Sequence, residues 1–93
     1  KVKNYFIDFN SRELSFKDLK LKLTEKEISV ILYLFKKKTP TGIKELKENV
    51  WQYHSDIETH TVETHIYRLR KKIDKTFNDV NFILSKKDGY QIK

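Results

Sequence analysis

Between Thr59 and Ile73 the chain reads THTVETHIYRLRKKI, two histidines and a carboxylate inside a densely basic run. Three chemistries are open to such a set: metal ligation by imidazoles, proton transfer by a His–Glu pair, or recognition of an anion by cations and hydroxyls. Laying the run on a helix separates them. His60 and His65 stand roughly 140° apart around the axis, whereas a helical chelate needs i, i+3 or i, i+4. His54 lies in a polar connection and would have to swing in, so no metal site is expected. No nucleophile, base and orienting group can be assembled, and there is no glycine-rich phosphate loop. Neither catalysis nor a cofactor is therefore expected.

At about 100° per residue, Val62, Ile66, Leu69 and Ile73 fall in one narrow stripe, which predicts a buried seam. The opposite face carries His60, Thr64, Tyr67, Arg68, Lys71 and Lys75. A solvated helix normally interleaves both charge signs, but Glu63 is the sole acid from Thr61 to Lys72 and lies on the flank. His65, beside the seam, reads as a half-buried packing histidine. The stripe is too narrow for a helix lying on a membrane surface. The outward row points to a nucleic acid, and a rigid helix with short Thr and long Arg side chains suits the DNA major groove. RNA modules instead expose aromatic pairs on a sheet. Tyr5, Phe6 and Phe9 are the candidates for that, but their alternation reads as a packed sheet.

The rest of the chain must hold that helix. Its 93 residues suit one domain, and 38% apolar content with only two glycines and one proline argues for a folded one. Twenty Lys+Arg against 13 Asp+Glu leave a net charge of +7, which favours a polyanionic partner over a merely soluble basic surface. The lack of cysteine excludes a disulfide framework and thiolate metal sites, and fits a cytoplasmic protein. No apolar run approaches the roughly 18 residues needed to cross a bilayer, and no signal-peptide pattern opens the chain, so no membrane partner is expected. Methionine is missing even at position 1, which suggests a domain excised from a longer protein.

Period-two alternation in NYFIDFN, ELSF and DLKLKLT predicts an N-terminal antiparallel sheet over about 2–23. Helical spacing follows over about 24–38, opened by a Thr24–Glu27 capping box and striped by Ile28, Ile31, Leu32 and Phe35. Pro40 breaks the chain, and a second helix is expected over about 43–51, with Ile43, Leu46 and Val50 on one face. The third runs over about 59–75. FILSKKDGYQI closes the chain as a hairpin over about 82–92.

Taken together, LTEKEISVILYLF, ELKENVW, THTVETHIYRLRKKI and KDGYQI resemble the C-terminal effector domain of OmpR/PhoB-type response regulators, over essentially the whole chain. The resemblance implies an α+β winged helix-turn-helix: an N-terminal antiparallel sheet, three helices and a C-terminal β-hairpin wing. It also implies a bacterial two-component system that controls transcription, with double-stranded DNA as partner. An upstream receiver domain would dimerise the full-length protein on DNA, whereas the isolated domain would be monomeric. By the same likeness the third helix enters the major groove. His60 falls where the family often has a backbone-touching arginine, Thr64 faces bases, and Arg68 reads bases or adjacent phosphates. Tyr67, Arg70 and Lys71 match DNA-contacting positions, and Thr61 and Lys75 complete the set. Lys44, Trp51, Lys86, Lys87 and Tyr90 would touch the DNA backbone or serve the wing, with Trp51 packing in the core as well. The loop from Gln52 to Glu58, including Tyr53, His54, Asp56 and Glu58, corresponds to a segment that in relatives can contact RNA polymerase. A merely solvated loop is the alternative there.

Three positions depart from the family pattern. Lys86 stands for the arginine of Arg-Gly-x-Gly-Tyr and lacks its planar fork, so a phosphate contact could replace the groove contact. Lys87 replaces a glycine, which leaves the turn type open. Gly42 stands for an N-cap serine and loses a side-chain acceptor. The rival to DNA reading is a protein-interaction module that binds an acidic partner or RNA polymerase.

Overall fold

The computed structural model describes residues 2–51 and 56–93. Strands β1 (Phe6–Asp8), β2 (Glu13–Phe16) and β3 (Leu19–Lys22) form an antiparallel meander in that order. The register sets Leu14 opposite both Ile7 and Leu21, so the alternation gathers one apolar row against the core. Tyr5 is buried beside it, stacked on Phe16 at 4.9 Å and edge-on to Phe77 and Phe82. Its hydroxyl donates to Asp79 Oδ2 at 2.8 Å. The expected packing of all three N-terminal aromatics does not form, since Phe6 is 59% and Phe9 63% exposed. Ile7 faces the core, which turns its strand neighbour Phe6 outward, and Phe9 has already left the strand for the turn. Leu19 is also exposed, because its place opposite Phe16 is at the tip of the hairpin.

Thr24 caps α1 (Glu25–Lys37) through the capping box: its Oγ1 accepts from the Glu27 N–H at 3.1 Å, and Glu27 Oε1 accepts from the Thr24 N–H at 2.8 Å. Lys38 ends the helix in the left-handed region, at φ 66°. The buried face is Ile28, Val30, Ile31 and Leu34, while Leu32 and Phe35 are only partly buried. It is rotated from the expected stripe because α1 packs against both the second helix and the C-terminal hairpin. The second helix, expected over about 43–51, is α-helical as α2 (Ile43–Leu46) and then widens into a π-helical turn over Lys47–Trp51. In that wider turn the consecutive Val50 and Trp51 are both buried.

Helix α3 (Thr59–Phe77) runs two residues past its expected end, to an Asn78 cap in the left-handed region. Phe77 thereby joins Val62, Ile66, Leu69 and Ile73 in the buried seam. Strands β4 (Leu84–Lys86) and β5 (Gly89–Gln91) form the closing hairpin. Lys87 and Asp88 turn it without a positive φ, so the lysine in a usual glycine position is tolerated. Thr41 adds a short third partner: its N–H donates to the Tyr90 carbonyl at 2.8 Å and its carbonyl accepts from the Tyr90 N–H at 2.9 Å. Gly89 makes this pairing possible. Its φ is +143°, and a Cβ there would stand 2.2 Å from the Thr41 carbonyl oxygen.

Candidate nucleic-acid interface

Helix α3 is sealed on one side and charged on the other. Val62, Ile66, Leu69 and Ile73 are at most 1% exposed, whereas His60, Tyr67, Arg68, Lys71 and Lys75 are all exposed. Thr61 and Thr64 are half-buried along the same side. The Thr64 hydroxyl donates to the His60 carbonyl at 2.9 Å, so its proton is committed to the helix backbone. Lys71 Nζ lies 5.4 Å from the centre of the Tyr67 ring, a cation–π pair one helical turn apart. A tyrosine 59% exposed beside a lysine offers a planar apolar surface and a charge at one place.

The helix starts without a side-chain cap. Glu58 occupies the N-cap position, and its carboxylate instead meets His60 Nδ1 at 3.0 Å, with both side chains well exposed. Asp56 is exposed as well, while Tyr53 and His54 lie outside the described residues. His65 is exposed rather than half-buried, with its ring edge-on to Trp51 at 5.4 Å. It sits on the helix flank, where one side of the ring finds the indole and the rest meets solvent. Trp51 is 6% exposed and is a member of the core.

Two residues of the basic run do not join the outer row. Arg70 is half-buried on the flank, next to Tyr67, Lys71, Asp74 and Val80 around a shallow concavity, and its buried Nε has no hydrogen-bond partner. Lys72 turns away altogether, with its Nζ 2.8 Å from Glu27 Oε1 of α1. Nothing in the sequence pairs residues 45 apart. The same holds for Glu45, which accepts from the Tyr33 hydroxyl at 2.6 Å and pairs with Lys37 at 2.9 Å. Those two donors hold the Glu45 carboxyl below its ordinary range, the tyrosine bond contributing most.

On the wing, Lys86 and Lys87 are exposed and share a concavity with Gly42 and Ile43 at the start of α2. Lys44 is exposed in the first turn of that helix. Tyr90 is half-buried and its backbone is used by Thr41, while Gln91 Nε2 donates to the Lys38 carbonyl at 3.0 Å. The wing is thus fixed to the α1–α2 connection rather than free. Among the described residues, no three His, Asp or Glu side chains gather as a metal would require, and no helix is long and apolar enough to cross a membrane.

The sequence pattern of the family described as "Transcriptional regulatory protein, C terminal" matches residues 18–92. The chain belongs to that family. It is a winged-helix domain of the OmpR/PhoB type, as the motif resemblance implied. The transcriptional regulatory protein ResD of Bacillus subtilis is 33% identical over 72 residues, which are 74% of this chain and 29% of ResD. The DNA-binding domain of CadC from E. coli superimposes with a TM-score of 0.86 at 23% identity, covering 100% of this chain and 89% of that one. A response regulator domain solved in complex with an intercistronic region, that of AdeR, gives 0.81 at 23% identity, covering 100% and 97%. The domain spans less than half the length of the curated relatives it matches.

Proposed function

We propose that this domain binds double-stranded DNA in a sequence-dependent way, as the effector domain of a two-component response regulator that controls transcription. The observation that carries the reading is the polarity of α3. Four aliphatic side chains seal one face, and the other presents His60, Thr64, Tyr67, Arg68, Lys71 and Lys75. The AdeR domain, of the same fold, was solved with DNA, which supports it. In this reading α3 lies in the major groove, and phosphate contacts set the register while bases are selected from one helix. Arg68 makes the bidentate contact to guanine and the Thr64 methyl meets a thymine. Lys44, Trp51, Tyr67, Arg70, Lys71 and Lys86 serve phosphates, and Lys87 and Tyr90 support the wing. An upstream receiver domain, in a cytoplasmic protein, brings two copies onto repeats about one helical turn apart. Asp56 and Glu58, at the foot of α3, are the described part of the surface offered to RNA polymerase.

Selection of bound duplexes from a random pool at stated salt tests the proposal. A defined motif is the expected result, and Arg68→Ala should flatten preference at one base position by about 1–3 kcal/mol. Lys71→Ala should weaken every duplex alike and lower the salt slope by about one unit. Binding that stays constant as salt rises would instead identify a protein-interaction module.

A further inference from the structure

We infer that Lys72 and Glu27 are positioning residues that set the angle of α3, and that Lys72 makes no contact with nucleic acid despite its place in the basic run. This inference rests on the reading of α3 as the recognition helix.

The first turn of α1 holds both ends of the helix-turn-helix. Lys26 Nζ donates to the Val50 carbonyl at 3.0 Å, near the end of the second helix, where a cation suits the negative pole. One residue on, Glu27 Oε1 receives the Lys72 ammonium at 2.8 Å. That same oxygen accepts the Thr24 N–H at 2.8 Å, which completes the capping box. The Glu27 side chain is only 13% exposed and cannot swing away without opening the cap. Its position is therefore set by backbone geometry, and the Lys72 head group is held against a fixed point. The seam of Val62, Ile66, Leu69 and Ile73 keeps α3 on the core but is a narrow line about which a helix can roll. A charge-assisted bond on the flank, off that line, opposes the roll. The roll angle decides whether Arg68 meets a base edge or a phosphate.

The pair is tested with Lys72→Met, which keeps the aliphatic stem, Glu27→Gln, which keeps an acceptor for the Thr24 N–H, and Lys72→Arg, which keeps a cation for Glu27. Residual dipolar couplings of α3 amides in the free domain report the roll angle of α3 relative to α1. That angle should change in Lys72→Met and Glu27→Gln, and stay as in wild type in Lys72→Arg and Lys71→Gln. Titration of a selected duplex and a scrambled one across a salt series gives the second readout. The ratio of specific to non-specific affinity should fall about two- to fivefold in Lys72→Met and Glu27→Gln, the range of a partly exposed ion pair. The salt slope should be unchanged there and lowered by about 0.9 in Lys71→Gln. An unaltered angle in Lys72→Met, or a slope lowered as far by Lys72→Met as by Lys71→Gln, overturns the inference. If the wild-type chain binds no duplex while the angle still shifts, the DNA reading falls and the positioning role stands.

Discussion

Gly89 shows how one hydrogen atom decides a junction. Its φ of +143° and the approach of the Thr41 carbonyl leave no room for any other residue. Gly89→Ala should destabilise the domain by roughly 2–3 kcal/mol, because a buried backbone pair must open. Urea unfolding would measure it, and a change within error would mean that the Thr41–Tyr90 pairing is dispensable. Gly42, by contrast, leaves ordinary space for a Cβ, with the Asp88 carbonyl oxygen 3.7 Å away, so a serine there would fit the cap without strain.

For an element, the informative contrast lies between adjacent positions of α3. Ile66 is fully buried and Tyr67 is 59% exposed, one residue on. Ile66→Ala should lower stability by about 2–5 kcal/mol, since the seam cannot collapse around the lost atoms. Tyr67→Ala should move stability by less than about 0.5 kcal/mol yet weaken binding to duplex, as it removes the ring under Lys71. Chemical denaturation and a binding titration on the same two variants separate the roles. If Tyr67→Ala unfolded the domain as readily as Ile66→Ala, α3 would not be two-faced.

Across the whole molecule, a few side chains lock elements that the core alone leaves free to slide. The Tyr33–Glu45–Lys37 cluster joins α1 to α2 just below the connection that carries the wing. The Glu45 pKa is lowered from 4.5 by the Tyr33 hydroxyl bond and the Lys37 bond. A depressed folded-state value means the contribution is present above 4.5 and fades as the pH falls through the lower folded value. Glu45→Gln should flatten that part of the acid limb of a stability-versus-pH curve by losing a little stability near neutrality, where the wild-type carboxylate is ionised, and should match wild type once that carboxylate is protonated. A wild-type slope retained in Glu45→Gln would assign the acid limb to other carboxylates, Asp8 first, whose pKa is lowered by the Ser11 and Asn10 backbone N–H bonds.

The sequence alone determined whatever depends on near neighbours along the chain. The Thr24–Glu27 box, the four-residue seam of α3, the row of Tyr67, Arg68 and Lys71, and the hairpin at Lys87–Asp88 each follow from spacing within one or two turns, where geometry repeats with a fixed period. Tertiary structure decided what those periods leave open. It paired Lys72 with Glu27, a partner on another helix. It left the Arg70 Nε buried without a partner and turned Phe6 to solvent. It rotated the buried face of α1 toward Val30 and Leu34 and widened the second helix at Lys47–Trp51. A helical wheel ranks faces by apolarity, but which flank is covered depends on what packs beside it, and that partner is distant in the chain.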